Sequence, residues 1–177
     1  MFDGTVVTTN FDRLLERVYQ DAGRPFEEKC TGRGSTDAFF RAIPAGERYL
    51  LKLHGNIDNA GERILSRDEY NAAYGQDENI DKNFPLPRVL DRLFSSYSLL
   101  FLGCSLAADR TIQTFSRVVA DRQAATLPRH YAILPASDDD DDRRAMDQRL
   151  AEANITPLWY PAEDHDHVEQ ILNLIGA

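Results

Sequence analysis

Three short apolar runs end in residues whose types can do chemistry: Thr8-Thr9-Asn10-Phe11-Asp12, Leu53-His54-Gly55-Asn56-Ile57-Asp58, and Phe101-Leu102-Gly103-Cys104-Ser105-Leu106, followed by Asp109. A histidine titrates near neutrality and can serve as a general base. An asparagine amide can fix a polar ligand, and a glycine beside the histidine frees the backbone for a close approach. Each segment also has a purely structural reading. Asn10 suits a helix N-cap, with Asp12 in the first turn where a carboxylate is favoured. His54 can close a strand with one hydrogen bond. Ser105 can cap a helix after a tight turn, with Cys104 as a small filler beside it.

The elements that position these residues follow from periodicity. Thr5–Thr9, Tyr49–Leu53, Ser98–Leu102, His130–Leu134 and Ile155–Tyr160 are β-forming apolar runs, as expected of strands in a parallel sheet. Between them, Phe11, Leu14, Leu15, Val18 and Tyr19 fall at helical spacing. So do Leu86, Val89, Leu90, Leu93, Phe94 and Tyr97, then Ile112, Phe115 and Val119 more weakly, and Val168, Ile171, Leu172 and Ile175 at the end. The alternation predicts an α/β fold: a Rossmann-like, mostly parallel sheet with helices on both faces. Such sheets bind ligands beyond the C-terminal ends of their strands, where the three segments lie. Thr31–Arg48 and Asn56–Phe84 read as loops or small helical insertions that cover a site. The run Asp138–Asp142 reads as a solvated loop entering a helix at Arg143, rather than as a metal site.

The 177 residues fit a single domain over 1–177. With 42% hydrophobic and 28% charged residues, the composition is that of a globular chain. No apolar run is long enough to span a bilayer, and residues 1–4 carry no secretory signal. A cytoplasmic location is the expectation. The two cysteines, Cys30 and Cys104, give neither a disulfide framework nor a CxxC zinc pair. A net charge of −9 disfavours direct nucleic-acid binding, which calls for a basic face. It leaves dinucleotides open, because helix N-termini can hold phosphates without net positive charge.

In this order along the chain, the three segments resemble the sirtuin family. Thr8-Thr9-Asn10-Phe11-Asp12 is similar to its Thr-Gln-Asn-Ile-Asp motif, Leu53-His54-Gly55 to its His-Gly motif, and Gly103-Cys104-Ser105 to its Gly-Thr-Ser motif. Asp109 and Ser66-Arg67-Asp68-Glu69-Tyr70 resemble the divergent bacterial branch, which includes NAD-depleting antiviral defence proteins. The resemblance implies that NAD is the substrate, with His54 as general base and Asn10 holding the nicotinamide ribose. It places Asp12 at the nicotinamide pocket and Gly103 and Ser105 at the phosphates and adenine-side ribose. Asp109 and Thr9 are carried over as NAD contacts, Thr9 standing where the family usually has Gln. The chemistry suits these residues. Cleavage builds positive charge on the ribose while nicotinamide leaves as a neutral molecule, so a base and a rigid polar clamp help more than a strong acid.

Two departures shape the expectation. The paired CxxC module of the deacetylases is missing, so no zinc is expected and NAD glycohydrolase chemistry is favoured over protein deacylation. The family's early Gly-Ala-Gly-x-Ser loop is also missing, which implies an N-terminally incomplete domain. A homo-oligomer or a partner protein would then supply that segment. It also keeps open a non-catalytic nucleotide-binding or assembly module.

Overall fold

The computed structural model describes residues 3–76, 81–106 and 110–175. The architecture is α/β with parallel sheets, and the chain divides into two compact units, Met1–Val89 and Leu90–Ala177.

The first unit contains β1 (Val6–Thr8), α1 (Leu14–Asp21), β2 (Glu28–Thr31), α2 (Asp37–Ala45), β3 (Tyr49–Lys52) and α3 (Arg67–Tyr74). Its three strands are parallel in the order β1-β3-β2. Parallel neighbours need crossover connections, and α1 and α2 supply them. The last strand in sequence therefore enters the middle of the sheet. All four residues of β3 are buried, as its continuous apolar run predicts. The outer strands are more polar and less buried. Phe39 and Phe40 from α2 pack with Tyr49, Leu50 and Leu51 of β3 in this core.

The structure adds one strand that the sequence did not suggest, and a helix lies in a stretch expected to hold loops or small helical insertions. Glu28–Thr31 forms β2, although its charged sequence shows no strand signature. Its backbone alone earns it a place, through a register that sets Glu28 beside Tyr49 and Thr31 beside Lys52. The Thr31–Arg48 stretch holds a two-turn helix, α2, which ends on Gly46 at φ 69°. Gly32 packs tightly on the central strand. A Cβ there would come within 2.6 Å of the Leu53 carbonyl oxygen.

The second unit contains the end of α4 (Pro85–Ser96), which runs across the division, then β4 (Leu100–Phe101), α5 (Arg110–Asp121), β5 (His130–Ala136), α6 (Asp140–Glu152), β6 (Ile155–Pro161) and α7 (Asp166–Ile175). Its strands are parallel in the order β4-β5-β6. Pro157 is tolerated because β6 is an outer strand of this sheet. The aspartate run does not lie wholly before its helix. Asp139 is the N-cap, accepting N–H bonds from Asp141 and Asp142, and α6 starts at Asp140 rather than at Arg143. The dipole argument holds, with the carboxylates inside the first turn.

His130 opens β5 and is fully buried. Its ring stacks on Phe94 with centroids 3.8 Å apart, and Nδ1 accepts the Leu99 N–H at 3.3 Å. Burial pushes its pKa from the usual 6.5 down to about 4. The unfolded chain therefore binds a proton near pH 6.5 that the folded chain refuses until about pH 4. Stability from this group falls as pH drops through that window and is unaffected above it. Urea unfolding at pH 7 and pH 5 will show a loss for the native chain that is smaller in His130→Phe, which lacks this group.

Candidate functional site

The residues singled out from sequence fall into the two units, and each group is described in its own frame. In the first unit, β1 and β3 lie side by side in register, with Thr8 opposite Lys52. Asn10 and His54 each follow these paired residues by two positions, so they leave the sheet at the same level beyond the C-terminal ends of adjacent strands. The pairing continues past the strands. The Leu53 N–H donates to the Thr8 carbonyl at 2.8 Å, and the Ile57 N–H donates to the Phe11 carbonyl at 2.7 Å. Arg13 and Asp58 then form a two-point ion pair on the surface. The segments TTNFD and LHGNID are thus fastened to one another along their length.

Asn10 is exposed, and its backbone N–H is held by the Thr8 hydroxyl at 3.1 Å. It is not the N-cap of α1. That position belongs to Arg13, and the N–H of Leu14 is taken by the Asp12 carboxylate at 2.9 Å. Asp12 does the local capping work expected of Asn10. Thr9 is exposed beside it.

His54 is 8% exposed. Its ring is held by two tyrosines of α3, one turn apart. Nε2 lies 2.8 Å from the Tyr74 hydroxyl, and Nδ1 lies 3.4 Å from the Tyr70 hydroxyl. A buried tyrosine hydroxyl needs a partner, and Tyr74 is fully buried. The tighter Tyr74 bond therefore orients the ring, while Nδ1 faces the less buried tyrosine. Helix α3 is well anchored for this task. Ser66 accepts the Glu69 N–H, and the Glu69 carboxylate accepts the Ser66 N–H at 2.8 Å, a reciprocal capping box. The Ser66 N–H, the Leu65 N–H and the Ser66 side chain, each bonding the carboxylate, hold the Glu69 carboxyl below the usual carboxylate range. The segment Ser66–Tyr70, noted in sequence for its resemblance, thus supplies a ring facing the histidine. Tyr74 was missed. Its signal was the four-residue spacing from Tyr70, which puts both rings on one helix face.

Gly55 makes the placement of His54 possible. Its φ is 92°, and a Cβ would collide with the Glu62 carbonyl and approach Arg63 Cα to 2.9 Å. The same close crossing lets the Ile64 N–H reach the His54 carbonyl at 3.0 Å.

In the second unit, β4 ends in the Gly103-Cys104-Ser105 turn. Gly103 has φ 62° and Leu106 φ 45°. Ser105 is exposed, and α5 is described from Arg110 onward. Asp109 lies outside the described residues. Cys104 is a half-buried thiol. Among the described residues no cluster of His, Cys, Asp and Glu is arranged to hold a metal ion. No helix of the described residues is long and apolar enough to cross a membrane.

Open parallel α/β sheets bind ligands beyond the C-terminal ends of their strands. Residues 4–158 match the SIR2-like domain family, and the chain belongs to it. Two bacterial proteins are similar to it. Over 66 residues it is 35% identical to the NAD(+) hydrolase ThsA of Cytobacillus dafuensis, covering 37% of this chain and 13% of that protein. Over 130 residues it is 24% identical to the NAD(+) hydrolase ThsA of Bacillus cereus (strain MSX-D12), covering 73% of this chain and 25% of that protein. The chain thus matches a quarter or less of the length of these relatives.

Substituting Gly55→Ala tests the crossing beneath His54. The clash with backbone and the left-handed φ together predict a destabilisation of about 2 kcal/mol or more in chemical unfolding. A loss under about 0.5 kcal/mol, typical of a neutral surface change, would mean that the crossing relaxes freely.

Proposed function

We propose that this chain is an NAD glycohydrolase that cleaves NAD to nicotinamide and ADP-ribose. The observation that carries the reading is the equal overshoot of Asn10 and His54 beyond two adjacent, stitched parallel strands. In this reading Asn10 serves as the polar clamp and His54 as the base. The names of the two similar proteins support the same substrate and reaction.

In this reading the Asn10 amide hydrogen-bonds the nicotinamide ribose and the attacking water, and Asp12 and Thr9 border the nicotinamide. The bond between C1′ and the nicotinamide nitrogen breaks with its electron pair going to nicotinamide, which leaves neutral. Water adds to C1′ and its proton passes to His54. Tyr74 keeps the imidazole ring from turning, so that Nδ1 is the nitrogen presented. Tyr70, across Nδ1, shields the base from bulk water and yields when substrate arrives. For Gly103, Ser105 and Asp109 it is the family resemblance alone that suggests contacts to the phosphates and the adenine-side ribose. The resemblance to the bacterial defence branch extends the proposal to antiviral NAD depletion in the cytoplasm, by a homo-oligomer or beside a partner protein.

A second reading, NAD binding without turnover, draws on the engagement of both His54 nitrogens by tyrosine hydroxyls. Nicotinamide release by the purified chain, followed by chromatography, separates the two. Hydrolysis predicts release that falls at least about 100-fold in His54→Ala and in Asn10→Ala, the scale of a lost general base or positioning group. Thermal stabilisation by NAD with no release would favour the binding module. Release that persists in His54→Ala would remove the histidine from the mechanism.

A further inference from the structure

A lysine is an expensive residue at the centre of a buried sheet, because its charge must leave water. Lys52 is in that position. It is the last residue of the central strand β3, and its side chain is 1% exposed. An unbranched apolar side chain would fill the same space without that cost. What the ammonium adds is a set of three donors. One reaches Glu16 Oε1 on α1 at 2.9 Å, one the Phe11 carbonyl at 3.4 Å, and one the Asp12 carbonyl.

Both carbonyls belong to the turn between Asn10 and Arg13. That turn is neither strand nor helix, so sheet and helix bonds do not fix its backbone. Lys52 is the paired partner of Thr8 and lies two residues before His54. One side chain therefore ties the backbone that carries Asn10 and Asp12 to the strand that carries His54. The charge is balanced locally. Glu16 faces Lys52 at 2.9 Å and the more exposed Lys29 at 4.0 Å. This balance matters beside a ribose that gains positive charge as its bond breaks, because an unpaired ammonium would oppose that charge.

We infer that Lys52, neutralised by Glu16, is a positioning residue of the site: its buried ammonium fixes the Asn10–Asp12 turn against the His54 strand. The inference rests on the NAD-hydrolase reading for its effect on rate, but the clamp itself is a property of the fold. A lysine serving only stability would leave the turn unchanged when replaced by an apolar residue that preserves the fold.

The test uses the full chain as wild type, Lys52→Met and Glu16→Gln, with steady-state NAD hydrolysis and hydrogen exchange read by mass spectrometry. In folded Lys52→Met, amides of residues 10–14 will exchange about tenfold faster while β3 keeps its protection. Its kcat will fall about tenfold or more with KM changed less than about threefold, as for a lost orienting contact. Glu16→Gln will lower kcat while largely preserving protection of the turn. Unchanged exchange at residues 10–14 in Lys52→Met, or an unchanged kcat, overturns the inference. If Lys52→Met does not fold, Glu16→Gln decides, and a wild-type kcat in that variant counts against it. If the wild type releases no nicotinamide, the hydrolase reading fails by itself, and exchange at the turn still decides whether the clamp exists.

Discussion

The placement of the candidate site depends on one buried contact, the ammonium of Lys52 against the carbonyls of Phe11 and Asp12 and the carboxylate of Glu16. Parallel strands leave the sheet as separate loops, and nothing in the sheet ladder keeps two such loops together beyond their last paired residues. Here the ladder ends at Thr8 and Lys52. The lysine and the backbone bond from Ile57 to Phe11 extend the join into the loops. A motif on β1 and a motif on β3, more than forty residues apart in the chain, become neighbours that share a backbone partner.

The histidine is constrained from the opposite side. Helix α3 is capped at Ser66 and Glu69 and delivers two tyrosines to the two nitrogens of one ring. The glycine after His54 lets the chain cross the Glu62–Arg63 backbone at a distance no other residue tolerates without rearrangement. The histidine is therefore set by backbone features and by the capped helix, the Asn10–Asp12 turn by the buried lysine, and the Asn10 side chain stays exposed. A locked frame of this kind is what the proposed reaction would need, since it depends on aim more than on strong acids or metals.

Much of this was legible in sequence where burial leaves a periodic trace. The run Tyr49–Leu53 marked the central strand, and α4 followed its apolar spacing closely. The three strand-end segments were found because their residue types are chemical and their order is specific. What stayed hidden has physical reasons. β2 is an outer strand of charged and polar residues, held by backbone pairing that leaves no side-chain signature. Asn10 looked like a helix cap because Asn often is one, yet Asp12, two residues on, takes that work. Lys52 was visible as a charge inside an apolar run. Its meaning depends on Glu16, which is near only once the chain is folded.

The central claim is that Asn10 and His54 act as one unit on one substrate. A double-substitution cycle in kcat/KM for NAD hydrolysis tests it most directly, using Asn10→Ala, His54→Ala and the pair together. The account predicts strong non-additivity, with the double variant losing little more than the worse single one, as for groups that work on a single step. Losses that multiply as independent factors would contradict it.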